Sequence, residues 1–204
     1  MKKSISKEQI IETALELLKD KSNIREINLR EIARVLGCAH TNLYNYYPSF
    51  NDLLWEAHIE IGIKFIQQMN LILERIQDPK AKLYQFYYFL SEFYLDNKGW
   101  FRLAWLDYID VVRPDKDKIV TEKTVSEMVE LLRNIWIGIY SNELDRKSIR
   151  RVLHDVHCYI VGEVSSYING RGIIHDKELL KQHIAETSVT FFTLYLKEEC
   201  DIKA

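Results

Sequence analysis

The sequence predicts an all-α protein. Three observations carry this. Apolar residues recur at helical spacing through nearly the whole chain. Seven glycines and three prolines are few for 204 residues. Those that occur (Gly37, Pro48, Pro79, Gly99, Pro114, Gly170, Gly172) fall mostly between the periodic stretches, where they stop or turn the chain. With 47% hydrophobic and 28% charged residues the composition is that of an ordinary globular protein. The length allows one or two small domains with real cores. No apolar run approaches a membrane span. The start, MKKSISKEQII, has no signal-peptide core, so a cytoplasmic location is expected. Cys38, Cys158 and Cys200 are odd in number and far apart, so neither a disulfide framework nor a zinc cluster is indicated. Cys38 is expected in the core of the N-terminal part.

The first helix spans about Lys7 to Leu18, with Ser6 as its cap and Ile10, Ile11, Ala14, Leu15 and Leu18 as the buried stripe. Lys2, Lys3 and Lys7 sit at its start. A charged link, Lys19–Ile27, leads to the most informative stretch, Asn28 to Tyr47 (NLREIARVLGCAHTNLYNYY). Leu29, Ile32, Ala33 and Leu36 give a short helix one apolar face. Asn28, with Glu31 three positions on, marks its start as a capping box. Gly37 supplies the backbone freedom of a sharp turn. A second short helix follows, with Leu43 and Tyr47 packing back on the first. Its other face carries His40, Thr41, Asn42, Tyr44, Asn45 and Tyr46, all hydrogen-bonding or aromatic and none acidic. A segment that enters a major groove needs such groups and no negative charge. The pair reads as a helix-turn-helix with its reading helix second. An ordinary helical hairpin in a core would share the apolar spacing.

Pro48 stops the second helix of the pair. The fourth helix starts near Asn51 or Asp52 and continues to about Ile76, with Leu53, Leu54 and Ala57 on the N-terminal part and Ile61, Phe65, Met69 and Ile72 beyond it. One continuous helix then joins both parts. Asp78-Pro79 breaks the chain. The fifth helix, about Lys80 to Asp96, is apolar all round and is expected to be central. The sixth runs from Gly99 to about Arg113, and the seventh from about Asp115 to Tyr140, with Ile119, Val125, Met128, Val129, Leu132, Ile135, Trp136 and Ile139 inward. The last two span about Asp145–Asn169 and Asp176–Glu199. Their stripes are Ile149, Val152, Leu153, Val156, Ile160, Val164, Tyr167 and Leu179, Leu180, His183, Val189, Phe192, Leu196.

The run from Ile10 to Leu54 resembles the DNA-binding domain of the TetR/AcrR family of transcriptional repressors. Ile32, Ala33, Gly37, Leu43, Tyr44, Tyr46, Tyr47, Leu53 and Leu54 carry the resemblance, which covers the first quarter of the chain. Three positions depart from the family pattern. Ala39 replaces the small hydroxyl residue that caps the reading helix. Phe50 replaces a lysine expected on a phosphate, which removes part of the salt-dependent affinity. Tyr46 replaces a histidine and still offers a hydroxyl. The resemblance implies about nine helices: a helix-turn-helix domain over 1–54 and an effector-binding and dimerisation domain over 55–204. It also implies a homodimer through the last two helices, two heads on one palindromic operator of double-stranded DNA, and release by a small-molecule effector. His40, Thr41, Asn42, Tyr44 and Asn45 are expected to approach bases or phosphates. Asn28, Arg30 and Tyr46 are expected to grip the backbone.

Net charge is -2, which does not advertise nucleic-acid binding, although the first 50 residues hold eight basic residues against six acidic ones. The aromatic concentration from Tyr84 to Tyr108 reads as core for about half of these residues, with a minority lining a cavity for a flat or greasy effector. Tyr87, Tyr88, Trp100, Trp105, Met128 and Trp136 are the expected ligand-binding residues. Glu92, Asp107 and Asp110 are near enough in sequence to meet a cationic ligand, or to pair with a neighbour such as Arg102. His154 and His157 at i, i+3 beside Asp155 suggest the polar edge of a helix more than a metal site. No phosphate loop, nucleophile elbow or zinc motif is present, and no catalytic residue, metal or cofactor is expected. The reading is a ligand-responsive transcriptional regulator, a repressor by resemblance. The alternative is an all-α small-molecule-binding or interaction protein with impaired DNA binding.

Overall fold

The computed structural model describes residues 5–203, with side chains as far as Glu198. Lys2 and Lys3, and the side chains of Glu199 and Cys200, lie outside the described residues. Among those described there are helices and no strand: α1 (Lys7–Leu18), α2 (Leu29–Leu36), α3 (Phe50–Leu73), α4 (Pro79–Asp96), α5 (Lys98–Phe101), α6 (Asp115–Tyr140), α7 (Arg146–Ile168) and α8 (Lys177–Lys203). A six-residue 3-10 helix, His40–Asn45, lies between α2 and α3, and a π-helical turn, Arg102–Leu106, continues α5. A shorter 3-10 turn, Ile24–Glu26, breaks the charged link.

Local chemistry explains most of the boundaries. Ser6 Oγ accepts from Gln9 N–H at 3.2 Å while Gln9 Oε1 accepts from Ser6 N–H at 3.0 Å, a closed capping box. Asp78 Oδ2 accepts from Ala81 N–H at 2.7 Å, so Pro79 opens α4 rather than merely breaking the chain; its missing N–H costs nothing at the first helical position. Asp145 caps α7 through Ser148 N–H at 2.9 Å.

The chain forms two compact units, one of residues up to Lys64 with Asn97–Thr121, the other of Phe65–Asp96 with the chain from Glu122 onward. These are units of packing; the expected division at 54 is a functional one. The residues of α3 and of α6 are divided between the units.

The first unit packs Ile10, Ala14, Leu18, Ile24, Ile32, Leu43, Leu53, Leu54 and Ala57 into a core that excludes water. Asn97–Leu106 belongs to this core. Trp100 Nε1 donates to Leu15 O at 2.8 Å and Gly99 N–H to Lys19 O at 2.8 Å. Asp107 Oδ2 accepts from Ile24 N–H at 3.1 Å and Asp107 Oδ1 from Arg102 Nη2 at 3.0 Å. The helix expected to reach Arg113 therefore ends at Leu106, because Asp107 leaves helical geometry (φ -93°, ψ 139°). His58 Nδ1 and Asp117 Oδ1 lie 2.5 Å apart, and Arg113 Nε donates to Asp117 Oδ2 at 2.5 Å. Burial pushes the Asp117 carboxyl up, but the bonds and charges of His58 and Arg113 outweigh it and hold it below the usual carboxylate range. Ile119, expected inward, is exposed, because the buried position of this first turn is taken by Asp117.

In the second unit α4 packs against α7 and α8, and α7 against α8. Phe86, Tyr87, Leu132, Trp136, Val156, Ile160, Ile184 and Phe192 are fully buried. The apolar stripe of α7 from Ile149 to Val164 is buried within the chain itself, so it is not a face left for a second copy. Of the expected α8 stripe Leu180, Phe192 and Leu196 are buried, while Leu179 and His183 are exposed and Ile184 takes a buried place outside the expected stripe. The register differs because Lys181 takes an inward position beside Leu180. Its Nζ meets Glu178 at 2.8 Å, Glu92 at 3.4 Å and Asp96 at 3.6 Å. Burial lowers its pKa, but these three carboxylates outweigh burial and raise it.

Candidate functional site

The helix pair is held from both ends. Asn28 Oδ1 accepts from Arg30 N–H at 3.0 Å and Glu31 N–H at 3.1 Å, satisfying two of the four unpaired donors at the start of α2. Gly37 ends α2 in the left-handed region (φ 68°), which a side chain would oppose. The residues from His40 follow as a 3-10 helix and not the expected α-helix. Ala39 gives no side-chain cap and Thr41 does not replace it; the segment is short and Pro48 follows closely. A 3-10 helix has three residues per turn, so residues three apart eclipse.

That period sorts the predicted residues. His40, Leu43 and Tyr46 share the inward row: Leu43 is fully buried and the other two are half-buried. The Tyr46 hydroxyl donates to Ile5 O at 2.5 Å, so its one donor is already used within the protein. Thr41, Tyr44 and Asn45 are exposed, Tyr44 by 53%, and Asn42 is half-buried. The His40 ring meets Tyr44 edge-on at 6.4 Å. Asn28 and Arg30 are exposed at the start of α2, and Arg34 is exposed in its last turn. Tyr47 is buried, with the Lys7 ammonium 5.5 Å from its ring. Burial, with Glu56 and Glu8 nearby, pushes its phenol up to about 12. Ser49 Oγ accepts from Asp52 N–H at 3.2 Å at the start of α3. Phe50, where the sequence resemblance leads one to expect a lysine, is half-buried. Cys38 is half-buried rather than in the core.

The six expected ligand residues fall in both units. Trp100 and Trp105 belong to the first. Trp100 is buried and bonded to Leu15 O, which makes it part of the core, and Trp105 is 48% exposed. Tyr87, Tyr88, Met128 and Trp136 belong to the second. Tyr87 and Trp136 both meet Phe192, at ring distances of 6.0 Å and 6.3 Å. Trp136 Nε1 donates to Asn142 Oδ1 at 2.7 Å. The Tyr87 hydroxyl is fully buried with no hydrogen-bond partner among the described residues, and so is Ser188 Oγ. Sequence reasoning missed Ser188; its signal is a hydroxyl one turn before Phe192 on the same helix face. Tyr88 is half-buried and donates to Glu178 Oε2 at 3.0 Å, while Met128 is half-buried on α6.

Glu92 pairs with Lys181, Asp107 with Arg102, and Asp110 is exposed. His157 is half-buried with Nε2 2.8 Å from the Tyr94 hydroxyl, and His154 is exposed with Nε2 3.7 Å from Cys158 Sγ. The two histidines therefore face different surroundings, and no metal-binding cluster is found among the described residues. Among those residues no helix is long and apolar enough to cross a membrane.

No protein-family model matches the chain, and no curated protein matches it in sequence. Solved structures do match it in fold. The transcriptional regulator FadR from Bacillus subtilis, in complex with stearoyl-CoA, superposes with a TM-score of 0.65 at 18% identity, over 91% of this chain and 99% of that one. The fatty acid degradation regulator FadR from Bacillus halodurans gives 0.65 at 14% identity, over 93% and 97%. The TetR family regulator PfmR from Thermus thermophilus gives 0.60 at 17% identity, over 89% and 97%. Over nine-tenths of its length, and with a helix-turn-helix near its N-terminus, the chain has the fold of TetR-family transcriptional regulators.

Proposed function

We propose that the protein is a homodimeric, ligand-responsive transcriptional regulator that represses by binding a palindromic operator. The observation that carries this reading is the exposure of Thr41, Tyr44 and Asn45 on a segment anchored by Asn28, Gly37 and buried Leu43. A scaffold that buries its apolar residues and leaves hydrogen-bonding groups in an uncharged row suits a DNA groove better than a protein core. Residues 1–54 act as the head and 55–204 hold effector and partner. Thr41, Asn42, Tyr44 and Asn45 face the bases. Asn28 and Arg30 face phosphates.

The effector is small and hydrophobic or aromatic, and it enters among the α4, α6 and α8 side chains of the second unit. Buried Tyr87 and Ser188 hydroxyls without partners supply the polar points that an apolar interior otherwise lacks. The stearoyl-CoA complex of the B. subtilis neighbour makes long-chain acyl thioesters the first compounds to try. Dimerisation uses the outer faces of α7 and α8, of which α8 exposes Leu179, Leu194 and Tyr195. The effector releases DNA by favouring a state in which the two heads no longer match one site.

The test is fluorescence anisotropy of the purified protein on the DNA upstream of its own gene, across a salt series, with scrambled DNA as control. Selective binding with two subunits per site is expected. The double substitution Tyr44→Ala with Asn45→Ala should abolish selectivity; unchanged affinity would mean that the reading face is misassigned. Binding no better than to scrambled DNA, there and in a random-sequence selection, would favour the all-α binding protein with an impaired head, the reading that Phe50 and the occupied Tyr46 hydroxyl support.

A further inference from the structure

Resting on the regulator reading, we infer that the head selects A·T base pairs at its direct contacts and that Thr41, Tyr44 and Asn45, flanked by Asn42, make the selection. The 3-10 period buries Leu43, with His40 and Tyr46 half-buried on its side, and leaves Thr41, Tyr44 and Asn45 exposed beside half-buried Asn42. The chemistry of these four residues is one-sided. A side-chain amide carries a donor and an acceptor that match adenine N6–H and N7. A threonine methyl and an aromatic ring pack on the thymine methyl. Guanine is read by two donors from one arginine or lysine, and cytosine N4–H by a carboxylate. Neither residue type occurs between His40 and Asn45.

The arginines of the head lie elsewhere. Arg25 Nη1 donates to Asn51 Oδ1 at 2.7 Å. Arg30 and Arg34 stand on α2, the helix that crosses the phosphate backbone when the following segment enters the groove. They supply position and salt dependence and no base identity. With Phe50 in place of a lysine and a net charge of -2, little non-specific attraction is left, so discrimination depends on these few base contacts.

The test is selection of the protein against a random duplex pool at fixed salt, followed by base-analogue substitution in the enriched site. Enriched half-sites should hold A·T pairs at their invariant positions. Replacing those adenines by 7-deazaadenine, or those thymines by uracil, should each weaken binding about tenfold. In Asn45→Ala the 7-deazaadenine penalty should shrink or vanish at one position. Invariant G·C pairs would overturn this inference and leave the regulator reading standing, with Arg30 or Arg34 as the reader. Invariant A·T pairs insensitive to both analogues, or an unchanged penalty in Asn45→Ala, would also overturn it, since DNA shape would then be the source of selection. No enrichment at all would overturn both.

Discussion

The Trp100 indole donates to the Leu15 carbonyl oxygen at 2.8 Å, inside the core of the first unit. Leu15 lies in the last turn of α1, and its carbonyl oxygen also accepts from Lys19 N–H at 3.0 Å, so the indole is a second donor to it. The next residues of α1 meet Gly99 so closely that a Cβ there would stand 1.8 Å from Leu18 O. A tryptophan 85 positions further along the sequence thus braces the end of the first helix, beside the Gly99 N–H that Lys19 O accepts.

Two substitutions follow from this contact. Trp100→Phe keeps an aromatic ring and loses the donor, and should lower stability by about 1–2 kcal/mol. Gly99→Ala cannot be accommodated without shifting backbone, and should cost more than Trp100→Phe. Urea unfolding of both variants checks the order; a Gly99→Ala protein as stable as the parent would contradict the packing.

Asn28→Ala removes the acceptor that satisfies Arg30 and Glu31 N–H. A loss of about 1 kcal/mol is expected. Asn28→Asp keeps the acceptor and adds a charge favourable to the helix start, so it should restore stability while repelling phosphate. Stability by denaturation and affinity by anisotropy should therefore separate in that variant.

Burial holds the His157 imidazole at about 4, with the neighbouring His154 adding to the effect, against an ordinary value of 6.5. Between those values the unfolded chain binds a proton that the folded protein does not. The stabilisation is therefore complete above about 6.5 and is lost as pH falls toward 4, by an amount on the order of 3 kcal/mol. Unfolding free energy measured from pH 7 to pH 4 should fall accordingly. In His157→Asn the slope over that window should flatten.

Lys181 is buried among carboxylates that are themselves partly exposed. Lys181→Met keeps the stem and removes the charge, and Glu92, Asp96 and Glu178 can then turn to water. The cost should be under about 1 kcal/mol. Lys181→Ala, which also empties the space of the stem, should cost about 2–3 kcal/mol. Equal losses in the two variants would show that the ion pairs, rather than the packing, hold α8 to α4.

Local chemistry was legible wherever a residue acts on its own neighbours. Ser6 caps α1, Asn28 caps α2, Gly37 turns, and the stripe from Ile149 to Val164 is buried as its spacing predicts. Errors gathered where the partner is far along the chain. Trp100 reads as a pocket residue until Leu15 O is seen beside it. Ile119 reads as core because its spacing fits, yet Asp117 takes the buried place through His58 and Arg113. Tyr46 reads as offering a hydroxyl outward until Ile5 O is seen to accept it.

By itself the sequence determined the all-α class, most helix boundaries and the helix-turn-helix, because caps, glycine turns and 3.6-residue periodicity act within a few residues and are written there. Only the tertiary structure decided that His40–Asn45 winds as a 3-10 helix with the Tyr46 hydroxyl on Ile5 O, that Asn97–Leu106 packs against the end of α1, and that Lys181 is buried beside three carboxylates. Each of these depends on desolvation or on a hydrogen-bond partner brought from a distant segment, and neither is set by local sequence.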